Sequence, residues 1–207
     1  MDTLGLSMIV KDEPVDRVVM LLDFMSRLCN QMVILDTGSE NYLQDREWYL
    51  MAGATTVEQI EWRGDFAWAR NQTLPYLGTE WTLHLDADEL PSMAMMMHIE
   101  GVLYDAPKGA NAFLYFAQNF WGGRKELLVM ESDWHLRLFR TRAAEWYKPV
   151  HEQVMLHGKQ EGNTRGTPEV IKAPRSAYFI NSKPAEMIEK SNELYTQIGE
   201  GADRRSI

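Results

Sequence analysis

The sequence contains a single cysteine, Cys29, among its 207 residues. One cysteine cannot form a disulfide within the chain, so no intramolecular cross-link stabilises the fold. A lone thiol is compatible with a reducing compartment. We therefore predict a cytoplasmic location.

Long apolar runs are also missing, because no stretch approaches the roughly 20 residues that cross a bilayer as a helix. The amino terminus carries Asp2 where a signal peptide would have a basic residue followed by an apolar stretch. We expect neither a membrane span nor secretion.

Positive charge is in the minority, with 21 lysines and arginines against 30 aspartates and glutamates and a net charge of -9 at pH 7. This excess of acids opposes the general attraction that drives non-specific binding of nucleic acid. Nucleic acid is therefore not the default partner. We interpret the basic residues between positions 159 and 183 as a solvated surface.

The rest of the composition is that of a folded globular protein. Apolar residues make up 45% of the chain, aromatic residues 11% and charged residues 25%, which argues against a disordered or fibrous chain. A chain of this length can bury the greater part of its apolar surface in one core. We predict a single domain over residues 1–207.

The first half of the chain alternates strand and helix patterns. Apolar runs predict strands at 4–10, 32–35, 55–60 and 81–85, and helical spacing predicts helices at 15–29, 42–51 and 67–77. This alternation predicts an α/β fold with a mostly parallel central sheet flanked by helices. Ligands of such a sheet bind at the carboxyl ends of its strands.

The second half of the chain has shorter strand patterns, at 112–119, 125–130, 136–139 and 153–156. The first two are expected to form a hairpin around Gly122 and Gly123. Residues 169–181 give no clear pattern, and residues 184–198 predict a final helix. We expect this half to be mixed or antiparallel.

Three acids, Asp86, Asp88 and Glu89, follow the apolar strand at 81–85. Like charges at one strand end repel each other unless a cation lies between them. A divalent ion that bridges to phosphate oxygens meets this requirement, because Mg²⁺ or Mn²⁺ takes few protein carboxylates. The alternative is a surface loop whose acids cap the helix that begins near Pro91.

Six motifs in a fixed order resemble glycosyltransferase family 2, which has the GT-A fold. They are LSMIVKDE at 6–13, ILDTGS at 34–39, WRGDFAWARN at 62–71, WTLHLDADE at 81–89, DWHLRLFR at 133–140 and VHE at 150–152. Within that family the chain most resembles the small bacterial enzymes of the lipopolysaccharide-core type and their peptide-glycosylating relatives.

The resemblance implies a Rossmann-like GT-A domain that transfers a sugar, with inversion and with a metal ion, from a nucleotide diphosphate-sugar to an acceptor nucleophile. A UDP-sugar is the expected donor. Residues 1–105 would bind the nucleotide-sugar, and residues 106–207 would form the acceptor half and a C-terminal helix. The positions that match the family's donor site are Val10, Lys11, Glu13, Asp36, Gly38, Asp65, Arg70, Asp86 and Ala87.

The resemblance also implies a divalent metal, Mn²⁺ or Mg²⁺, bound by Asp88, with Asp86 facing the metal or the ribose. His151 of the VHE motif is a further candidate ligand, since neutral imidazole binds manganese-like ions. The alternative for His151 is a hydrogen-bonded histidine at a strand start. We expect the remaining histidines to be structural or surface residues: His84, His98, His135 and His157.

Inversion needs a base that takes the acceptor proton. Glu131 and Asp133 resemble the acids of a Glu-Asp-x-Asp-Leu pattern in the family, and Glu152 adjoins His151. Ser132 departs from that pattern, so the base stays open among these three acids, with Asp133 and Glu131 slightly favoured.

The acceptor is not identified by the sequence. The range of the family includes glycans, peptides and small molecules, and a modified DNA base is a further candidate, as is a second copy of the chain as partner. One alternative function is a nucleotidyltransferase, but its first loop would be glycine-rich and basic, whereas this chain has Lys11, Asp12 and Glu13 there. Another is a nucleotide-sugar-binding domain without catalysis, although the acids that such a loss would remove are present.

Overall fold

The computed structural model describes residues 1–121, 128–130, 133–157, 159–160, 169–183, 193 and 196–198. The helices are α1 (Val15–Met25), α2 (Tyr42–Met51), α3 (Phe66–Asn71) and α4 (Met93–Tyr104). The strands are β1 (Leu4–Val10), β2 (Gln31–Asp36), β3 (Thr56–Gln59), β4 (Trp81–His84), β5 (Glu89–Pro91), β6 (Ala112–Trp121), β7 (Leu128–Met130), β8 (Trp134–Arg140), β9 (Ala144–Tyr147), β10 (Gln153–Leu156), β11 (Lys159–Gln160), β12 (Val170–Lys172) and β13 (Tyr178–Lys183). Short 3₁₀ turns span Leu74–Tyr76 and Thr141–Ala143.

The amino-terminal part of the main sheet is parallel, in the order β3-β2-β1-β4. β1 is central because its apolar run is buried along nearly its whole length and needs cover on both faces. Val10 lies opposite Asp36 on β2, and Ser7 lies opposite His84 on β4. The chain moves from β1 to β2 on one side and returns to β4 on the other, so the strand order reverses at β1. The predicted parallel sheet with flanking helices is confirmed.

The rest of the sheet is mixed, as predicted for the second half. β8 runs antiparallel to both β4 and β6, β6 runs parallel to β13, and β13 runs antiparallel to β5. β7 and β12 pair with β6. Because β8 is antiparallel to β4, its first residues lie at the same sheet edge as the carboxyl end of β4.

A small antiparallel sheet, β11-β10-β9, packs over one face of the main sheet together with α3. Between them lies a secondary core of nine buried residues. Trp134 lies at its margin. Its members are Ala67, Ala112, Leu114, Leu136, Phe139, Trp146, Val154, Leu156 and Val170.

Several predicted boundaries are wrong. α1 ends at Met25 and not at Cys29. The chain turns after Met25, and the backbone N–H of Cys29 donates to the carbonyl of Met25 at 3.0 Å within that turn. Pro91 belongs to β5, and the helix after the acidic turn begins only at Met93, where Ser92 caps it by accepting from the backbone N–H of Met95.

The region that gave no clear sequence pattern contains β12 and β13. The predicted turn at Gly122 and Gly123 and nearly all of the predicted helix at 184–198 lie outside the described residues. In the part of the chain that the structure describes, no helix has the length and apolar character to span a membrane.

Candidate active site

The acidic turn that follows β4, residues 86–89, is closed by its own last residue. The backbone N–H of Glu89 donates to the carbonyl of Asp86 at 3.0 Å, and the backbone N–H of Asp86 donates to Oε2 of Glu89 at 3.1 Å. Glu89 is only 2% exposed. Its side chain therefore holds the start of the turn from inside the protein, while Asp88 is half-buried and Ala87 is buried.

Arg70, on α3, joins this turn to the small sheet. Its Nη1 lies 2.8 Å from Oδ1 of Asp86, and its Nη2 forms an ion pair with Glu152, the residue before β10. Burial lowers the pKa of Arg70, but the carboxylates of Asp86 and Glu152 raise it by more, so the net shift is upward and the guanidinium stays charged. Glu152, one of the predicted candidate bases, is here a counterion of Arg70.

Arg137 reaches the same turn from β8 through a break in strand register. The pairing of β6 with β8 passes from Phe113–Leu138 to Leu114–Leu136, so two residues of β8 correspond to one of β6. Arg137 is the extra residue of this β-bulge, a feature that re-aims side chains. Its Nη2 forms an ion pair with Glu89 and lies 3.6 Å from Oδ2 of Asp86.

The charges of this cluster do not balance. Asp86, Asp88, Glu89 and Glu152 face two arginines, which leaves a formal surplus of two negative charges. Burial raises the pKa of Glu89, and Asp86 and Asp88 raise it further, while the nearby guanidinium lowers it. Part of the repulsion that the sequence predicts a metal to relieve is thus relieved by arginine.

His84 is the last residue of β4 and is completely buried beside Asp86. Its Nε2 lies 3.3 Å from Oδ1 of Asp86, and its Nδ1 lies 3.3 Å from Oγ of Ser7. Burial, and next the guanidinium of Arg70, lower the pKa of His84 well below its usual value, so the ring is neutral. We expected a structural residue, and the structure makes His84 a direct neighbour of the acidic turn.

Trp146, on β9, supports two members of the cluster. The guanidinium carbon of Arg70 lies 5.0 Å from the centre of its ring, and the ring of His84 contacts it edge-on at 4.8 Å between centroids. Neither Trp146, His84 nor Arg137 was assigned a role from the sequence. Arg137 stands in the DWHLRLFR motif, but no spacing rule indicates the bulge that aims it.

The loops after β1 and β2 form a second group of predicted site residues. Oδ1 of Asp36 accepts from the backbone N–H groups of Gly38 at 2.8 Å and Ser39 at 2.7 Å, and from the side-chain amide of Gln59 at 3.2 Å. The carbonyl of Val10 accepts from the backbone N–H of Thr37 at 2.9 Å. Gly38 has φ +118°, a conformation that side chains disfavour.

The first loop is tied to the second by reciprocal hydrogen bonds. The backbone N–H of Asp12 donates to Oγ of Ser39 at 2.7 Å, and the backbone N–H of Glu40 donates to Oδ1 of Asp12 at 2.9 Å. Lys11 is exposed and Glu13 is half-buried beside them. Both loops therefore form one backbone-lined surface at the carboxyl ends of β1 and β2.

The other predicted residues occupy varied positions. Asp65 is the N-cap of α3, where its Oδ1 accepts from the backbone N–H of Trp68 at 2.9 Å. Asp133 is exposed at the start of β8. His151 is exposed in the turn before β10, with φ +51°. Glu131 lies outside the described residues.

The predicted metal ligands lie on two separate turns. Within the described ranges, no group of three or more His, Cys, Asp and Glu side chains is arranged to hold a metal ion, and the set of Asp86, Asp88 and His151 stays a prediction. The Asp86 carboxylate is directed at Arg70 and His84. The chemistry of the turn suits a hard divalent cation, because it offers two carboxylate-bearing residues and a local surplus of negative charge.

Sequence comparison finds a longer relative. A TPR repeat-containing protein of Synechococcus elongatus is 31% identical over 157 residues, which cover 74% of this chain and 36% of that protein. The chain thus spans little more than a third of this relative's length. No family model matches the chain.

Structural comparison finds solved proteins that match nearly the whole chain. Glucosyl-3-phosphoglycerate synthase of Mycobacterium tuberculosis, solved with Mn²⁺, UDP and glucosyl-3-phosphoglycerate, matches 95% of this chain and 77% of its own, with a TM-score of 0.59 and 13% identity. TarS of S. aureus matches 95% of this chain and 38% of its own, with a TM-score of 0.58 and 14% identity. The chain is structurally similar to GT-A glycosyltransferases, and at these identities the likeness concerns the fold.

Proposed function

We propose that this chain is an inverting, metal-dependent glycosyltransferase that moves a sugar from a nucleotide diphosphate-sugar, with UDP-sugars as preferred donors, to an acceptor nucleophile. The observation that carries the proposal is the acidic turn at residues 86–89, which arginines from α3 and β8 cross-link at the carboxyl end of β4. This edge adjoins the point where the strand order reverses, the usual ligand crevice of an open α/β sheet.

The nucleotide would lie on the joined loops after β1 and β2. Val10, Lys11, Glu13, Asp36 and Gly38 belong to these loops, where the exposed Gly38 at positive φ allows close approach of a ligand to the backbone. The diphosphate would then extend across the end of β1 toward Arg70 and the acidic turn. Asp65 would contribute indirectly, by capping the helix that carries Arg70.

Asp88 and Asp86 would hold the divalent metal, Mn²⁺ or Mg²⁺, with His151 as a further ligand from the turn before β10. His151 directly precedes Glu152, whose ion pair with Arg70 ties that turn to the acidic cluster. When bound, such an ion stabilises the negative charge that develops on the departing diphosphate. The surplus of negative charge around Asp86 and Asp88 favours its binding.

Asp133 is our preferred base. It is exposed at the sheet edge where β8 begins, whereas the Glu152 carboxylate is already engaged in an ion pair with the buried guanidinium of Arg70. Glu131 remains the alternative. The acceptor, whether glycan, peptide, small molecule or modified DNA base, would approach from this side. The cytoplasmic location and the binding of a second copy of the chain stay predictions.

The test is a turnover assay with a panel of UDP- and GDP-sugars and Mn²⁺ or Mg²⁺, in which we expect slow release of nucleoside diphosphate and free sugar. Asp88→Asn should reduce the rate by about 100-fold or more, the scale of losing transition-state charge stabilisation. Asp23→Asn, which removes an exposed charge on α1, is the matched control. Pyrophosphate release from nucleoside triphosphates would indicate a nucleotidyltransferase instead, and donor binding without any turnover would indicate an inactive binding domain.

A further inference from the structure

Two exposed cations lie over two aromatic rings at the edge of the main sheet. The ammonium nitrogen of Lys172 is 5.0 Å from the ring centre of Trp134, and the guanidinium carbon of Arg175 is 4.8 Å from that of Phe116. The two rings contact each other edge-on at 5.5 Å between centroids. We name these four residues the cationic–aromatic cluster.

The cluster lies at the same sheet edge as the candidate active site, on the face that also carries Trp146 and Arg70. Phe116 and Trp134 pair across β6 and β8, and Trp134 directly follows Asp133. Trp134 lies three positions before Arg137, which corresponds to about 10 Å along a strand. Trp134 also borders the secondary core that contains Trp146, the ring beneath Arg70.

The charges of the cluster are not neutralised by acids. Among the described residues, neither Lys172 nor Arg175 forms an ion pair with a carboxylate, in contrast to Arg70 and Arg137. Both side chains are exposed. They lie in a chain whose net charge is -9.

Contact with an aromatic face prepares a cation for a second partner. An arginine whose face lies on a ring keeps its in-plane N–H donors available, and these match the geometry of an oxyanion. Ring contact also orders the side chain in advance, which reduces the entropy cost of immobilising it when an anion binds. An anion that must approach Asp86, Asp88 and Asp133 needs such local cations to offset repulsion.

We propose that the cationic–aromatic cluster binds an oxyanion of the acceptor, so that the preferred acceptors are phosphate-bearing sugars. The identification of the ligand as the acceptor rests on the proposed function, whereas binding of an anion at this site does not depend on turnover. The phosphate would contact Lys172 and Arg175, and the rest of the acceptor would extend toward Asp133. The basic residues between positions 159 and 183 were interpreted from the sequence as a solvated surface, and the proposal assigns a ligand to two of them.

The test follows the indole N–H signal of Trp134 by NMR in the full chain, assigned with Trp134→Phe. Inorganic phosphate, titrated at constant ionic strength against chloride, should give a saturable shift. Lys172→Ala combined with Arg175→Ala should weaken this binding about tenfold or more, a loss of about 1.4 kcal/mol. Lys108→Ala, which removes an exposed lysine before the opposite end of β6, is the matched control and should leave the shift intact.

A second titration uses glucose 6-phosphate and glucose as paired probes of the same signal. We expect tighter binding of the phosphorylated sugar, and loss of that difference in the double variant. No saturable shift with phosphate, or an unaltered shift in the double variant, would overturn the proposal. Phosphate binding that depends on the cluster, in a protein that turns over no nucleotide-sugar, would leave the anion site standing and contradict the proposed function.

Discussion

Asp36 ends β2 and Asp86 follows β4, the strands on either side of β1, and the protein stabilises the two carboxylates in different ways. Asp36 is 1% exposed and accepts hydrogen bonds from two backbone amides and one side-chain amide. Asp86 has a side chain that is 30% exposed and is held by the charged groups of Arg70 and Arg137. The Asp36 carboxylate is thus stabilised by amide hydrogen bonds, and the Asp86 carboxylate by a network of charged side chains.

The difference lies in where the partners come from. The backbone partners of Asp36 are two and three residues away, so its loop is organised locally. The partners of Asp86 are supplied by α3 and by β8, and the network extends to the residue before β10. The acidic turn is therefore assembled only when both halves of the chain are folded together. Under the proposed function, it would be the point where the donor side and the acceptor side are coupled.

Arg70→Ala should have the largest effect, because it removes the charge that separates Asp86 from Glu152. Breaking a buried ion pair from one side costs about 3–5 kcal/mol, since the remaining charge is left uncompensated. Urea unfolding measures this change. Adding Glu152→Gln to Arg70→Ala should recover part of the loss, whereas a cost below about 1 kcal/mol for Arg70→Ala alone would show that the network does not behave as a buried pair.

Asp36→Asn should have an intermediate effect. The amide keeps an acceptor for Gly38 and Ser39 but loses the charge that strengthens these bonds, so we expect a loss of about 1–3 kcal/mol in unfolding free energy. Asp12→Asn is the matched control, because Asp12 is exposed and its carboxylate accepts a backbone hydrogen bond from Glu40 in the same pair of loops. A cost for Asp36→Asn equal to that of Arg70→Ala would remove the distinction between the two regions.

Asp65→Ala should have the smallest effect, since this residue caps α3 rather than neutralising a charge. Loss of an N-cap costs about 1 kcal/mol, and Ser92→Ala at the start of α4 provides a matched loss. The two variants should unfold at similar denaturant concentrations. Weaker UDP binding in Asp65→Ala than in Ser92→Ala would support a donor contact in addition to the cap, and equal binding would contradict it.

The same difference explains what the sequence could predict. Strand ends and the helices between them follow from local periodicity, and thus β1, β2, β4 and α2 are close to their predicted positions. The acids after β2 and β4 were identified for the same reason. Arg137 was not, because its position depends on a register shift between β6 and β8, and a pairing between distant strands leaves no local pattern.

His84 illustrates a second limit of the sequence. A histidine at the end of an apolar strand is usually structural, and only the approach of Arg70 and Ser7 from other elements makes it a neutral neighbour of Asp86. The grouping of His151 with Asp86 and Asp88 at a metal stays a prediction, and the Asp86 carboxylate already has protein partners that the sequence does not indicate. Competition for one carboxylate is decided by tertiary contacts.

The most direct test of the account is the effect of Mn²⁺ on UDP binding, measured by calorimetry on the wild-type chain, on Asp88→Asn and on the Asp23→Asn control. We expect Mn²⁺ to increase UDP affinity by about tenfold or more, about 1.4 kcal/mol, in the wild type and in the control. Asp88→Asn should lose this increase. UDP binding that is indifferent to Mn²⁺ in the wild type, or equally enhanced in Asp88→Asn, would contradict a metal-bridged donor site at the acidic turn.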